Sequence, residues 1–196
     1  TNQAESTNNL YGYISAVTSN GFTVTGGSSD SFYTNGDPET YVAWCWKAGG
    51  TASSNTDGSI TSSVSANTTY GFSIVSYTGT ANAETIGHGL NVAPSLIIAK
   101  ARTESGTSAN WAVYSSETGS ANKLYLNQTI ASTSTGNWNS TEPTASVFSV
   151  GGNGEANRNT QDMIAYCWSE VSGFSKFDSY SGGTANQTIS TGFKPR

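Results

Sequence analysis

The sequence predicts an all-β chain, an antiparallel β-sandwich of the jelly-roll kind built from internal repeats. Three observations predict it. Short apolar runs recur every ten residues or so, and clusters of Gly, Asn, Ser and Pro stand between them. Helix signals are nearly absent. A six-residue design is written twice, as Tyr41-Val-Ala-Trp-Cys-Trp46 and Met163-Ile-Ala-Tyr-Cys-Trp168, and the two copies hold both cysteines of the chain.

The strands are expected in this order. Gly71-Phe-Ser-Ile-Val-Ser-Tyr77 comes first, then Thr85-Ile86, then Ser95-Leu-Ile-Ile-Ala-Lys100 directly after Pro94. Trp111-Ala-Val-Tyr114, Lys123-Leu-Tyr-Leu126, Ser146-Val-Phe-Ser-Val150 and the segment from Asp162 to Trp168 complete the set. Each is rich in β-branched or aromatic residues and bounded by turn formers, as in Thr135-Gly-Asn-Trp-Asn-Ser-Thr-Glu-Pro143. About seven strands suffice for one sandwich, so residues 70–171 read as a complete unit.

The flanks read as fragments of that unit. Phe22-Thr-Val-Thr-Gly-Gly27 precedes the first Cys-Trp copy as Phe148-Ser-Val-Gly-Gly152 precedes the second, and residues 10–46 resemble the back half of the unit. Ser76-Tyr-Thr-Gly79 is matched by Ser179-Tyr-Ser-Gly182, and residues 174–196 resemble its front. An ordered series of matches is an internal repeat. The division is 1–69, a partial unit; 70–171, a complete one; and 172–196, the start of another. The last either opens a further unit of a longer array or completes the first, within one chain or between chains. In the second case strands pass from one subunit to the next.

Within the doubled segment, Tyr41, Ala43 and Cys45 point one way and Val42, Trp44 and Trp46 the other; Met163, Ala165 and Cys167 oppose Ile164, Tyr166 and Trp168. Two apolar faces suit a central strand covered on both sides, with two buried free thiols at matching depths. The aromatic face has two readings, as packing surface or as an open platform of Trp44, Trp46, Tyr166 and Trp168 that stacks on sugar rings.

Composition narrows the function. Charged residues make up 11% of the 196, against roughly 25% in an ordinary soluble domain, so the surface is built of Ser, Thr, Asn and Gly. The net charge is −5 and the eight Lys and Arg are scattered singly, which excludes nucleic acid as a partner. No apolar run approaches the ~20 residues that cross a bilayer. His88, the one histidine, lies in Gly87-His-Gly89 and reads as a solvated loop residue. Two distant cysteines and one histidine do not make a zinc site. Asp37 and Glu39 flank Pro38 in a turn and are the only carboxyl pair with spacing suited to glycoside hydrolysis. With Asp30 they also make a weak calcium candidate, as does Asp57, but neither spacing fits a calcium loop. Four Asn-x-Thr triplets, at Asn67, Asn127, Asn139 and Asn186, are the chance product of this composition. No catalytic residue and no cofactor is expected.

The run Tyr41-Val-Ala-Trp-Cys-Trp-Lys-Ala-Gly-Gly50, then Gly71 to Gly79, Gly87-His-Gly-Leu90, Ala93-Pro94 and Leu96-Ile-Ile-Ala-Lys100 resembles a repeat domain of tail-fibre-like structural proteins of marine bacteriophages. Asn110-Trp-Ala-Val-Tyr114, Ile164-Ala-Tyr-Cys-Trp168 and Gly173-Phe-Ser-Lys-Phe177 continue the pattern in order, over residues 20–196. The resemblance implies a non-enzymatic viral protein at the virion surface, a homo-oligomer or fibre with structural and adhesive duty towards a host glycan or protein receptor. The alternative is a self-assembling fibre or capsid-decoration subunit that polymerises by strand complementation between chains.

Overall fold

The structure is a computed structural model that describes residues 10–29, 34–103, 110–134, 136–152 and 154–195. Asp30 and Thr135 lie outside the described residues. Regular structure among the described residues is all β, without a helix, and every strand pair is antiparallel. The chain forms two compact units, Glu5–Cys45 and a larger one containing Trp46–Arg196.

The smaller unit is a hairpin of β1 (Tyr13–Val17) and β2 (Phe22–Thr25), whose register shifts between Ile14 and Ala16. The Thr18 amide donates to the Gly21 carbonyl at 2.8 Å and closes its turn. Two strands bury little surface between them, and Ile14, Val17, Phe22, Tyr41, Val42 and Trp44 are all exposed.

In the larger unit β3 (Ser53–Asn55), β4 (Ser62–Asn67), β5 (Phe72–Thr78), β6 (Glu84–Gly87), β7 (Leu96–Ala101), β8 (Ala112–Ser115), β9 (Asn122–Tyr125), β10 (Thr133–Ser134), β11 (Val147–Val150) and β12 (Asp162–Trp168) follow in sequence. Eight of them form one sheet in the order β10-β9-β8-β7-β12-β5-β4-β3, and β6 pairs with β11 apart from it. All seven segments expected between residues 71 and 168 are strands. The Ser-rich β3 and β4 were not foreseen; β4 pairs along β5 and β3 along β4.

The core lies on one face of the sheet. Val64, Val75, Ala165, Ala99 and Ala112 stand side by side across five strands. Three alanines in that row leave room for bulk from above. Ile86 and Phe148 of the β6–β11 pair supply it, together with Trp138 from the loop 136–143. Tyr77 meets Phe148 edge-on at 6.3 Å between centroids, and Tyr114 meets Trp138 likewise at 6.0 Å. Each large side chain buried this way contributes about 1.5–3 kcal/mol.

The two Cys-Trp copies part company here. The second is the expected central strand, with Met163, Ala165 and Cys167 fully buried between β5 and β7. The first forms no strand: residues 41–46 carry no ladder, Val42 is 82% exposed and Cys45 is exposed. The expectation of two buried thiols is therefore corrected to one. The cause is pairing, because β strands are held by neighbours and the flanks that suit this pattern are already filled by β12.

Candidate functional site

The other face of the central strand carries an aromatic cluster. Alternation puts Ile164, Tyr166 and Trp168 opposite the core residues of β12. Register sets Trp168 between Phe72 and Leu96, and Tyr166 between Ile74 and Ile98. The Phe72 and Trp168 rings lie 5.1 Å apart, Tyr166 and Trp168 6.2 Å apart. Trp46 closes the cluster, edge-on to Trp168 at 5.4 Å and 6.1 Å from Phe72.

Local bonds hold Trp46 there. Asn67 Nδ2 donates to the Lys47 carbonyl at 3.2 Å and Ser65 Oγ to the Gly50 carbonyl at 2.7 Å, so the segment after Trp46 runs along β4. Gly49 permits the approach, since a Cβ there would fall 1.9 Å from the Ala66 carbonyl oxygen. Burial grades across the cluster: Trp168 is 8% exposed and Trp46 52%. Trp168 Nε1 is itself buried, so this indole offers the cluster its ring rather than its N–H. A second ring pair, Tyr70 with Phe174 at 5.4 Å, stands at the turns that lead into and out of these strands.

Of the four residues proposed as a platform, Trp46, Tyr166 and Trp168 come together. Trp44 belongs to the smaller unit and is 80% exposed. Phe72 was not foreseen as a member, although the repeated Gly-Phe dipeptides at Gly71 and Gly173 marked the place. At the other end of β12, Ser54, Thr61, Ser62, Ser63, Ser76 and Arg102 line an open cleft of about 430 Å³. Its walls are mainly neutral hydroxyl groups.

The remaining candidates take other roles. His88 is not solvated: it is fully buried. Its Nε2 lies 3.1 Å from the Thr144 carbonyl, while Nδ1 accepts the Leu90 amide at 3.2 Å, so the first nitrogen carries the proton. Burial lowers its pKa, against the Thr144 bond and the more distant Asp57, which raise it. The imidazole is a neutral strut between two loops, which its glycine neighbours in sequence did not reveal. Asp37 and Glu39 are exposed in their turn, and Asp57 donates its amide to Asn55 Oδ1 and accepts from Asn55 Nδ2. Among the described residues no group of three or more His, Cys, Asp or Glu is placed to hold a metal ion. No helix there is long and apolar enough to cross a membrane.

The best-formed charged group is elsewhere. Glu155 accepts from Lys123 Nζ at 2.8 Å, Tyr125 Oη at 2.8 Å and Asn137 Nδ2 at 3.0 Å. Burial would raise the carboxyl, but these three donors outweigh it and hold it at about 2. Both carboxylate oxygens are engaged, which makes this a latch between β9 and the loops 136–143 and 154–157. Burial also pushes the Cys167 thiol up to about 12.

No curated protein and no solved structure matches the chain. Residues 1–196 match in full the family described as a domain of unknown function, DUF7483, and the chain belongs to that family.

Proposed function

We propose that this chain is a non-enzymatic structural and adhesive module of a phage tail fibre or similar virion-surface appendage, made of jelly-roll-like β-sandwich repeats. It aids attachment by weak contacts with host-surface glycans. The observation that carries this reading is the aromatic cluster led by Trp46, half-exposed on a chain that is only 11% charged. Sugar rings present C–H faces that stack on aromatics and hydroxyl groups that pair with neutral donors and acceptors. Such contacts are weak singly and gain strength when modules are repeated or oligomerised. The exclusion of catalysis draws support from His88, whose ring nitrogens are both engaged, and from the solvent-exposed turn that holds Asp37 and Glu39.

The test is binding of the full chain, presented multivalently, to a broad glycan array and to bacterial host cells. Trp46→Ala is expected to weaken binding about tenfold per site, ~1.4 kcal/mol, while lowering the melting midpoint by no more than about 2–4 °C. Absence of binding to every glycan and cell tested, or binding that ignores Trp46→Ala, would overturn the proposal.

A further inference from the structure

We infer that residues 41–46 of one chain pair as a β-strand with residues 174–180 of a second copy of this chain. The two segments are the repeat equivalents of β12 and of β5, which lie next to each other at the centre of the sheet. In their repeat context both patterns are strands. At 41–46 and 174–180 neither forms a ladder: Ser175 makes one isolated bridge, its amide donating to the Val171 carbonyl at 2.9 Å, which the pairing exchanges for Cys45, and Tyr41, Val42, Trp44, Trp46, Phe174 and Tyr180 are all exposed.

The backbone supports the equivalence independently of the side chains. Gly71, which opens β5, has φ +62°, and Gly173, at the same place in the later copy, has φ +74°. Gly89 and Gly192, next in the pattern, have φ +69° and +77°. Left-handed glycines at both matched sites mean that residues 173–192 already have the turn geometry that delimits the strand in the complete copy.

The complete copy also supplies the register. Cys167 faces Ser73, Trp168 faces Phe72 and Met163 faces Tyr77. Carried over, Cys45 faces Ser175, Trp46 faces Phe174 and Tyr41 faces Tyr180. Lys176-Phe-Asp178 has one residue more than Ile74-Val75, and two residues opposite one make a β-bulge. Each chain carries one segment of either kind, so the contact is heterologous. It runs head to tail and yields open chains of subunits or closed rings. This pairing goes beyond glycan binding and does not require it.

The experiment uses the full chain with Ser175→Cys, oxidised mildly with diamide and run on a non-reducing gel. Directly opposed residues in an antiparallel pair have Cα atoms about 4.5–5.5 Å apart, within disulfide reach. Expected is a ladder of dimer, trimer and larger species that shrinks to dimer at most when Cys45→Ser is added. Ser179→Cys, three positions from Cys45 in this register, should give no comparable ladder. Ser175 Oγ accepts the Val171 amide at 3.0 Å, so a second variant leaves that turn intact. Ala43→Pro removes one amide from the exposed segment and should weaken self-association in sedimentation about tenfold, the worth of one ladder bond. Monomer alone after oxidation of Ser175→Cys, a disulfide within one chain, an equal ladder from Ser179→Cys, or association indifferent to Ala43→Pro each overturns the pairing.

Discussion

Trp46 packs edge-on against Trp168, with centroids 5.4 Å apart and planes at 71°. These are the last residues of the two Cys-Trp copies, so the repeated motif meets itself through its terminal rings. The two partners have unequal duties. Trp168 is fixed by the strands on either side, and Trp46 lies on top of it.

That inequality predicts unequal costs. Trp168→Ala opens a hole beside Phe72 and Tyr166 and should lower stability by about 3–5 kcal/mol. Trp46→Ala, removing a half-exposed ring, should cost about 1 kcal/mol or less. Urea denaturation of both variants checks it; equal losses would show that Trp46 is a core residue and disqualify it as a binding probe.

His88 sets a pH limit. Its pKa is lowered by folding, so the stability it contributes is full above the unfolded value of about 6.5 and falls as pH drops through the folded value. The melting midpoint of the wild type should decline between pH 7 and pH 5. His88→Gln should flatten that part of the profile, at a cost of about 1–3 kcal/mol for the imperfect bonds to Leu90 and Thr144. An unchanged slope in the variant would assign the decline to another group.

Glu155 acts at lower pH. Its carboxyl is held at about 2, below the unfolded value near 4.3, so its stabilisation is complete above that value and lost as pH falls towards 2. Glu155→Gln should remove this acid-sensitive component while lowering the neutral-pH midpoint, because Lys123 then loses its counter-charge. A melting curve at pH 7 reads the second effect, and titration of tryptophan fluorescence from pH 5 to pH 2 the first.

The thiols should differ in kind. Cys45 is exposed and Cys167 is buried with a raised pKa, so a disulfide reagent should modify one thiol per chain promptly and the second only on unfolding. Two prompt reactions would mean that the central strand opens in the native state.

Legibility followed apolar density. The segments from Gly71 to Trp168 that carry Val, Ile, Phe or Tyr at close intervals are strands as expected. Ser62-Ser-Val-Ser-Ala-Asn67 was illegible because Val64 and Ala66 are its only apolar residues and its pairing with β5 decides its state. Tyr41-Val-Ala-Trp-Cys-Trp46 has the stronger local signal and is no strand, since a ladder is a property of two segments. The aromatic cluster was partly readable: alternation placed Tyr166 and Trp168 on one face, but Phe72 entered it through a cross-strand contact. His88 misled for the same reason, its burial being set by Thr144, far along the chain.

Among the described residues the terminal strands of the eight-stranded sheet, β3 and β10, have three and two residues. A strand so short offers too few free amides and carbonyls to template an incoming chain. The sheet therefore tapers to a stop at both sides, which limits uncontrolled edge-to-edge stacking. Short edges of this kind disfavour strand addition at the flanks, while side chains on the open surface stay free to meet other molecules.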